Sequence, residues 1–107
     1  MAYDPELVVR VHALLASEPT LEDKAMFGGI AFMVEGKLTV AVMNRGWLLA
    51  RVGRDAAPRL VGPGVEQMEM GGRPMTGWLR VAPEVIDDDE GLAQWVRRCR
   101  DFVRTLA

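Results

Sequence analysis

Three short apolar runs separated by two glycine-containing turns constrain the fold of this chain more than any other feature. The runs are Ile30 to Val34, Leu38 to Met43 and Trp47 to Val52, and Glu35-Gly36-Lys37 and Asn44-Arg45-Gly46 lie between them. Short runs rich in aliphatic and aromatic residues are typical of strands. Glycine supplies the positive φ that tight hairpin turns usually need. The segment therefore predicts three antiparallel strands in meander order.

The two ends of the chain show a helical period instead. Asp4-Pro5-Glu6 has the composition of a helix start, and apolar residues then recur at helical spacing to about Ser17. Near the other end, Asp87 to Glu90 place carboxylates at a helix start. An apolar stripe follows from Leu92 to Leu106. Both segments predict amphipathic helices that pack by one face.

The middle of the chain adds shorter elements. Thr20 predicts a cap for a short helical turn over Leu21 to Ala25, and Asp55 predicts the cap of a second short helix that ends at Val61 and contains Pro58. Two more strands are expected, joined by the turn Gly71-Gly72-Arg73-Pro74, at Gln67 to Met70 and Gly77 to Val81. The order α-β(3)-α-β(2)-α predicts a two-layer α+β domain, in which helices pack on one face of an antiparallel meander sheet.

Composition limits the classes of protein that this chain can belong to. Its 107 residues, 50% of them hydrophobic, fit a single domain over residues 1–107. The formal net charge of -2 provides no basic field, so no direct nucleic-acid partner is expected. Asp4 and Glu6 replace the basic residues of a secretory signal, and no apolar run approaches the ~20 residues of a membrane span. With Cys99 as its single cysteine, the chain is expected to be cytoplasmic.

Two segments carry a family resemblance, namely Met26-Phe27-Gly28-Gly29 and Gly72-Arg73-Pro74-Met75-Thr76-Gly77-Trp78. Further matching stretches occur in the same order along the chain, at Lys24-Ala25, Gly36-Lys37, Leu49-Ala50-Arg51-Val52 and Leu92 to Val96. This ordered set resembles the TfoX N-terminal domain family. The resemblance implies the α-β(3)-α-β(2)-α arrangement shared with secretion-chaperone-like folds, and a connection to the regulation of competence in bacteria.

The resemblance also implies what this sequence is expected to lack. Family members that regulate competence carry a second, C-terminal helical domain, whereas this sequence ends at Ala107 directly after its last predicted helix. A stand-alone domain is therefore expected. The resemblance assigns no catalytic residues.

These observations favour a small regulatory or protein-interaction module whose partner is another protein or a second copy of the chain, as in a homodimer. The residues expected to form its interaction surface are Phe27, Gly28, Gly29, Arg51, Arg73, Met75 and Trp78. Four of them, Phe27, Arg73, Met75 and Trp78, are expected to lie together. Glycine lets another chain approach the backbone closely. A helix-to-strand junction and a structural turn explain the same glycine segments without any partner.

An alternative hypothesis is a small-molecule or anion-binding domain. Four arginines close to strand ends, some of them near the glycine segments, provide the charges: Arg51, Arg54, Arg73 and Arg80. Scattered solvated charges explain them equally well. The seven methionines are open to two interpretations as well, since methionine fills irregular cores and also lines adaptable binding faces.

No catalytic, metal or cofactor site is expected. His12 is the single histidine and is predicted at the edge of the buried stripe of the first helix. Cys99 is predicted in the core, where a thiol is not a nucleophile. The run Asp87 to Glu90 lacks the spacing of a metal-binding loop and fits helix capping better. Because no spacing pairs an acid with a base, enzyme activity is not expected.

Overall fold

The structure is a computed structural model that describes residues 3–26 and 28–106. Within these residues the chain forms three α-helices and a six-stranded antiparallel sheet. The helices are α1 (Pro5–Leu15), α2 (Ala57–Leu60) and α3 (Asp89–Arg104). The strands are β1 (Glu22–Met26), β2 (Gly29–Val34), β3 (Lys37–Val42), β4 (Leu48–Arg51), β5 (Val65–Met70) and β6 (Arg73–Val81). The α+β fold predicted from the sequence is confirmed.

The predicted meander forms the middle of the sheet. The strand order in the described part of the chain is β1-β2-β3-β4-β6-β5, so β2, β3 and β4 are consecutive neighbours. Positive φ angles occur at both central residues of each hairpin turn, at Glu35 (55°) and Gly36 (75°) and at Arg45 (61°) and Gly46 (81°). Two successive positive φ angles match the right-handed twist of the strands that a hairpin joins. The turns therefore fix the order that the sequence predicted.

The predicted helical turn over Leu21 to Ala25 is wrong, because Glu22–Met26 is the edge strand β1. It pairs with β2 from Glu22 opposite Met33 to Met26 opposite Gly29. Thr20 caps no helix here; its Oγ1 accepts a hydrogen bond of 2.8 Å from the backbone N–H of Glu35. A helix this short is unstable alone, whereas the exposed edge of β2 offers backbone hydrogen bonds to alternate residues of the segment. The structure therefore has six strands instead of the predicted five.

The helices cover one face of the sheet and form the main core there. α1 contributes Leu7, Val11 and Leu15. α3 contributes its own buried stripe, Leu92, Trp95, Val96, Cys99 and Val103. Beneath them lie buried strand residues that share one side of the sheet, Phe32, Val40, Val42, Leu48, Ala50, Leu79 and Val81. This face is called the covered face below.

The ends of the two long helices are held by side chains that the sequence identified only in part. The Oδ1 of Asp4 accepts a hydrogen bond of 3.0 Å from the N–H of Glu6, which is the predicted N-cap of α1. Arg10 joins α1 to the start of α3, since its Nη2 lies 3.2 Å from Oδ1 of Asp89. At the other end, Glu18 accepts a hydrogen bond of 2.8 Å from Arg104. These contacts fix α1 and α3 against each other over the sheet.

Two boundaries differ from those predicted. The short helix α2 begins after Ala56, and Asp55 is not its cap; Pro58 lies in its first turn, where a missing N–H costs little. β6 already begins at Arg73, so only Gly71 and Gly72 form the turn between β5 and β6. Both glycines have positive φ, at 61° and 81°. The turn of the β5–β6 hairpin is therefore shorter, and its two strands are longer, than the sequence predicted.

Candidate functional site

Arg51 and Trp78, two residues predicted to belong to the interaction surface, are direct cross-strand neighbours. Arg51 ends β4 and pairs with Trp78 in β6. Its guanidinium carbon lies 5.1 Å from the centroid of the Trp78 ring, and its Nη1 donates a hydrogen bond of 3.1 Å to the carbonyl of Leu38. The negative face of an aromatic ring attracts a cation in this position. The two side chains thus stabilise each other on the sheet surface.

A second arginine–tryptophan pair lies nearby. The guanidinium carbon of Arg80 lies 3.9 Å from the centroid of the Trp47 ring. The Nε of Arg80 also lies 3.6 Å from Oε1 of Glu66 in the edge strand β5. This Nε is buried and has no hydrogen-bond partner among the described residues. From the sequence, Arg80 was considered for an anion site because of its charge. In the structure, its guanidinium group stacks on the ring of Trp47.

Both pairs belong to the face of the sheet opposite the main core, called the open face below. Its floor consists of four buried residues, Ala31, Ala41, Met43 and Leu49. Large, partly buried side chains pack over that floor: Met26, Leu38, Trp47, Met68 and Trp78. Tryptophan, methionine and arginine are enriched at protein–protein interfaces relative to the rest of a protein surface. The open face has that composition.

The strand register aligns one side chain from every strand in a single row across the open face. Successive cross-strand pairs give the row Lys24, Ala31, Ala41, Leu49, Arg80 and Glu66. Three consecutive members, Ala31, Ala41 and Leu49, are fully buried. Lys24 and Glu66, which are exposed and opposite in charge, end the row at the two edges of the sheet. This cross-strand row is apolar in the middle and charged at both ends.

A hollow of about 350 Å³ lies at the β5 side of the open face. It is lined by Met43, Asn44, Trp47, Met68, Met70 and Arg80. Met70 is 45% exposed, so this side of the hollow is accessible to another molecule. The methionines of the chain therefore serve in both of the ways considered from the sequence: Met43 is buried in the floor, while Met70 lines an accessible rim.

The first glycine segment lies at the hairpin between β1 and β2. Gly29 is buried, and a Cβ atom added there would overlap the backbone carbonyl of Val42 in β3. Gly28 is exposed, has a φ of 73°, and has open space where a Cβ would stand. Phe27 lies outside the described residues. Gly29 is thus required for close strand packing, whereas Gly28 is required for its backbone conformation.

The two glycine segments do not form one surface through their described residues. Gly29 begins β2, next to one edge of the sheet, and β6 lies three strands away from β2. At a spacing of about 4.8 Å per strand, that separation is roughly 14 Å. The segments also lie toward opposite ends of the strands. Gly29 is beside Val42 at one end, and Trp78 lies along β6 far from that end. The predicted proximity of Phe27 to Arg73, Met75 and Trp78 itself concerns a residue outside the described part of the chain.

The remaining predicted residues of the second segment lie near the β5–β6 hairpin. Arg73 is exposed at the first position of β6. Met75 is partly buried, and its carbonyl accepts a hydrogen bond of 2.8 Å from Nε2 of Gln67. The four arginines proposed for an anion site do not converge either. Arg51 and Arg80 stack on different tryptophans, and Arg54 lines a separate cleft near Gly77.

The lone histidine and the lone cysteine have the positions that the sequence predicted for structural residues. His12 is exposed, with its ring centroid 6.3 Å from that of Phe32. Cys99 is completely buried in the stripe of α3. Burial raises the pKa of the Cys99 thiol to about 12, an effect that the backbone of Arg51 and the charge of Arg98 partly oppose. At neutral pH the thiol is therefore protonated and inaccessible.

The acidic run at the start of α3 contributes to the beginning of that helix and to its contact with α1. Asp88 is the N-cap position, although its side chain makes no capping hydrogen bond, and Asp89 and Glu90 occupy the first turn. Among the described residues, no group of three or more His, Cys, Asp or Glu side chains is arranged to hold a metal ion. No helix within residues 3–26 and 28–106 has the length and apolarity to cross a membrane.

Fold and surface together define a class: a small α+β domain built on an antiparallel sheet, with helices on one face and an open face of tryptophan, methionine and arginine. The family profile of the TfoX N-terminal domain matches residues 13–103. The chain therefore belongs to the TfoX N-terminal domain family. No protein with curated annotation matches it.

Proposed function

We propose that this TfoX N-terminal domain is a regulatory module that works by protein binding and not by catalysis, and that a second copy of the chain binds its open face. The observation that carries the proposal is the pair of tryptophans held by arginines on a sheet face that none of the described helices covers. Tryptophan and arginine are enriched among the few residues that provide most of the binding energy of an interface. A reducing, cytoplasmic site of action is consistent with the unpaired, buried Cys99.

Self-association is favoured by the cross-strand row. A two-fold axis parallel to the strands and midway between two facing sheets reverses the row in the second copy. Lys24 of one copy then lies over Glu66 of the other, and Ala31 lies over Arg80. A two-fold interface must be complementary to itself, and this arrangement meets that condition at both edges. The small net charge of -2 opposes association only weakly.

A charged side chain on the open face tests the location of the contact. Met68→Lys places an ammonium beside Trp47 and Met70 in the hollow, and it is expected to weaken the dimer by about tenfold or more. Val9→Lys is the matched control, because Val9 is 67% exposed on α1, away from the open face. The dimer fraction is measured by light scattering coupled to size exclusion over a concentration series. A wild-type chain that stays monomeric at about 1 mM would contradict the proposal.

A charge exchange tests the orientation of the two copies. Glu66→Lys is expected to weaken the dimer because it opposes Lys24 of the second copy, and Lys24→Glu in the same chain is expected to restore it. Glu84→Lys changes an exposed carboxylate outside the row and serves as the control for net charge. If the double variant dimerises no better than Glu66→Lys, the proposed two-fold arrangement is wrong. Binding of a different protein by a strictly monomeric chain would overturn self-association as well.

A further inference from the structure

We propose that a second site, in a cleft beside α2 and the end of α3, binds a small organic phosphate. The cleft lies between the start of α2, the first half of β6 and the last turn of α3, and its volume is about 640 Å³. Its walls include Gly53, Arg54, Arg59, Thr76, Gly77 and Phe102. This volume is typical of sites for small ligands.

Two glycines at the floor of the cleft fix its shape. The carbonyl of Gly77 accepts hydrogen bonds of 3.0 Å from the N–H groups of both Val52 and Gly53. Gly53 and Gly77 have φ angles of 91° and 90°. A Cβ atom on Gly53 would stand 2.5 Å from Cε1 of Phe102, and one on Gly77 would stand 3.1 Å from the backbone nitrogen of Arg54. Glycine at both positions avoids these contacts, and the ring of Phe102 forms a wall of the cleft, with the guanidinium carbon of Arg51 5.8 Å from its centroid.

The charge in the cleft is mainly positive. Arg54 and Arg59 line it and are exposed, and neither forms an ion pair within residues 3–26 and 28–106. Asp55 is the carboxylate in its wall. An adjoining groove of about 450 Å³ shares Arg59 and adds Arg98, whose guanidinium carbon lies 4.7 Å from the Trp95 ring centroid. The arginines around Arg59 thus leave an excess of positive charge.

The second carboxylate in this region does not neutralise that excess. Asp101 lines the adjoining groove, but its Oδ1 lies 3.8 Å from Nε of Arg100 and 4.0 Å from Nη1 of Arg104. It is therefore compensated by arginines outside the cleft. Arg54, Arg59 and Arg98 face one uncompensated carboxylate, Asp55. A dianionic group restores the balance of charge.

The chemistry of the walls indicates the ligand class. Arginine guanidinium groups present paired N–H donors that fit phosphate oxygens, and they stay protonated at every physiological pH. Thr76 adds a hydroxyl, and Phe102 offers a ring surface. A phosphate between Arg54 and Arg59, attached to a flat apolar group that lies on Phe102, uses all of these features. An aryl phosphate is the simplest molecule with both parts.

The test is a titration of ¹⁵N-labelled protein with phenyl phosphate, followed by the amide resonances of Gly53, Thr76 and Gly77. Saturable shifts are expected at these amides. Arg54→Gln together with Arg59→Gln should weaken binding by about tenfold or more, since each arginine supplies a charge-assisted hydrogen bond. Arg97→Gln is the control, because Arg97 is exposed on α3 and lines neither groove. Its affinity should equal that of the wild type.

Further probes separate the two parts of the ligand. Phe102→Leu should weaken phenyl phosphate but leave the binding of inorganic phosphate unchanged, and phenol should not bind. Shifts spread over arginines outside the cleft, equal affinity in the double variant and in Arg97→Gln, or no shift at millimolar phenyl phosphate would each overturn the proposal. The titration reports on amides of the cleft and light scattering reports on the mass of the assembly, so the two proposals fail separately.

Discussion

The two faces of the sheet bury comparable side chains by different means. Leu48 and Leu49 are adjacent in β4 and neither has exposed surface, yet Leu48 points to the covered face and Leu49 to the open face. Helices lie over Leu48. No residue of the described helices packs against the cluster that contains Leu49, and side chains such as Trp47 and Trp78 pack there instead. Full burial of a strand residue therefore does not require a second layer, provided that large side chains pack over it.

The difference has a functional consequence. Helices cannot leave the covered face without unfolding the domain, since its core unites α1, α3 and five strands. Side chains that shield the open face can change rotamer or take on a new neighbour while the sheet remains intact. Under the proposed function, stability and recognition are assigned to opposite faces of the same strands. The predictions that follow test this division, beginning with the largest expected effect.

Replacing either leucine by alanine compares the faces directly. We expect Leu48→Ala to lower the free energy of unfolding by about 4 kcal/mol and Leu49→Ala by about 2 kcal/mol, within the range for buried leucines. The cavity at Leu48 is enclosed by packed elements, whereas the tryptophans over Leu49 have free space into which the face can relax. Urea unfolding of both variants gives the two values. Equal costs, or a larger cost at Leu49, would show that the open face is as rigid as the core.

The thiol of Cys99 reports on the covered face through pH. Its pKa of about 12 in the folded protein exceeds the ordinary thiol value of 9.0. Above pH 9 the unfolded chain loses this proton while the folded chain retains it, so the thiol favours unfolding increasingly between about pH 9 and 12. Below pH 9 it has no such effect. Wild type and Cys99→Ala are compared by urea unfolding from pH 7 to 11.

The stability of the wild type should fall relative to that of Cys99→Ala as the pH rises through this window. The thiol should also react with a disulfide reagent at pH 8 only after urea is added. A constant difference between the two proteins, or rapid labelling of the folded wild type, would mean that α3 does not seal the covered face. The alanine variant cancels the titration of all the other groups, which both proteins share.

Sequence patterns predicted the covered side of the molecule well because its elements are defined locally. The period of α3, the acidic residues at its start and the glycine hairpins each depend on a few neighbouring residues. β1 could not be recognised in this way. Its residues Glu22 to Lys24 are exposed and charged, and only pairing with β2 makes the segment a strand. Edge strands commonly carry such charges, which hide the strand pattern.

The candidate site was predictable in its residue types but not in its geometry. Trp78 and Arg51 were identified from the sequence, while the pairing of Arg80 with Trp47 depends on the neighbouring positions of β4 and β6. In the sheet, β4 pairs directly with β6, and β5 lies outside β6 at the edge. Nothing in the local sequence specifies that strand order. The cross-strand row and the cleft at Gly77 both depend on it. Long-range register, more than local propensity, positions this surface.

The smallest expected effect concerns what holds Arg80 on the open face. Arg80 has two neighbours, the Trp47 ring at 3.9 Å and the Glu66 carboxylate at 3.6 Å, and Glu66 is 58% exposed in its side chain. An ion pair this open to solvent contributes about 0.5 kcal/mol or less, whereas stacking on a partly buried indole also removes apolar surface from water. Glu66→Gln should therefore change the stability of the monomer by no more than about 0.5 kcal/mol. Trp47→Leu, which keeps an apolar side chain but removes the ring, should lower the free energy of unfolding by more.

Urea unfolding in dilute protein, at low and at high salt, separates the ion pair from the stacking contact, because only the ion pair is screened. A larger loss in Glu66→Gln than in Trp47→Leu would mean that the edge strand, and not the tryptophan, positions this arginine, and the open face would then depend on β5 for its order.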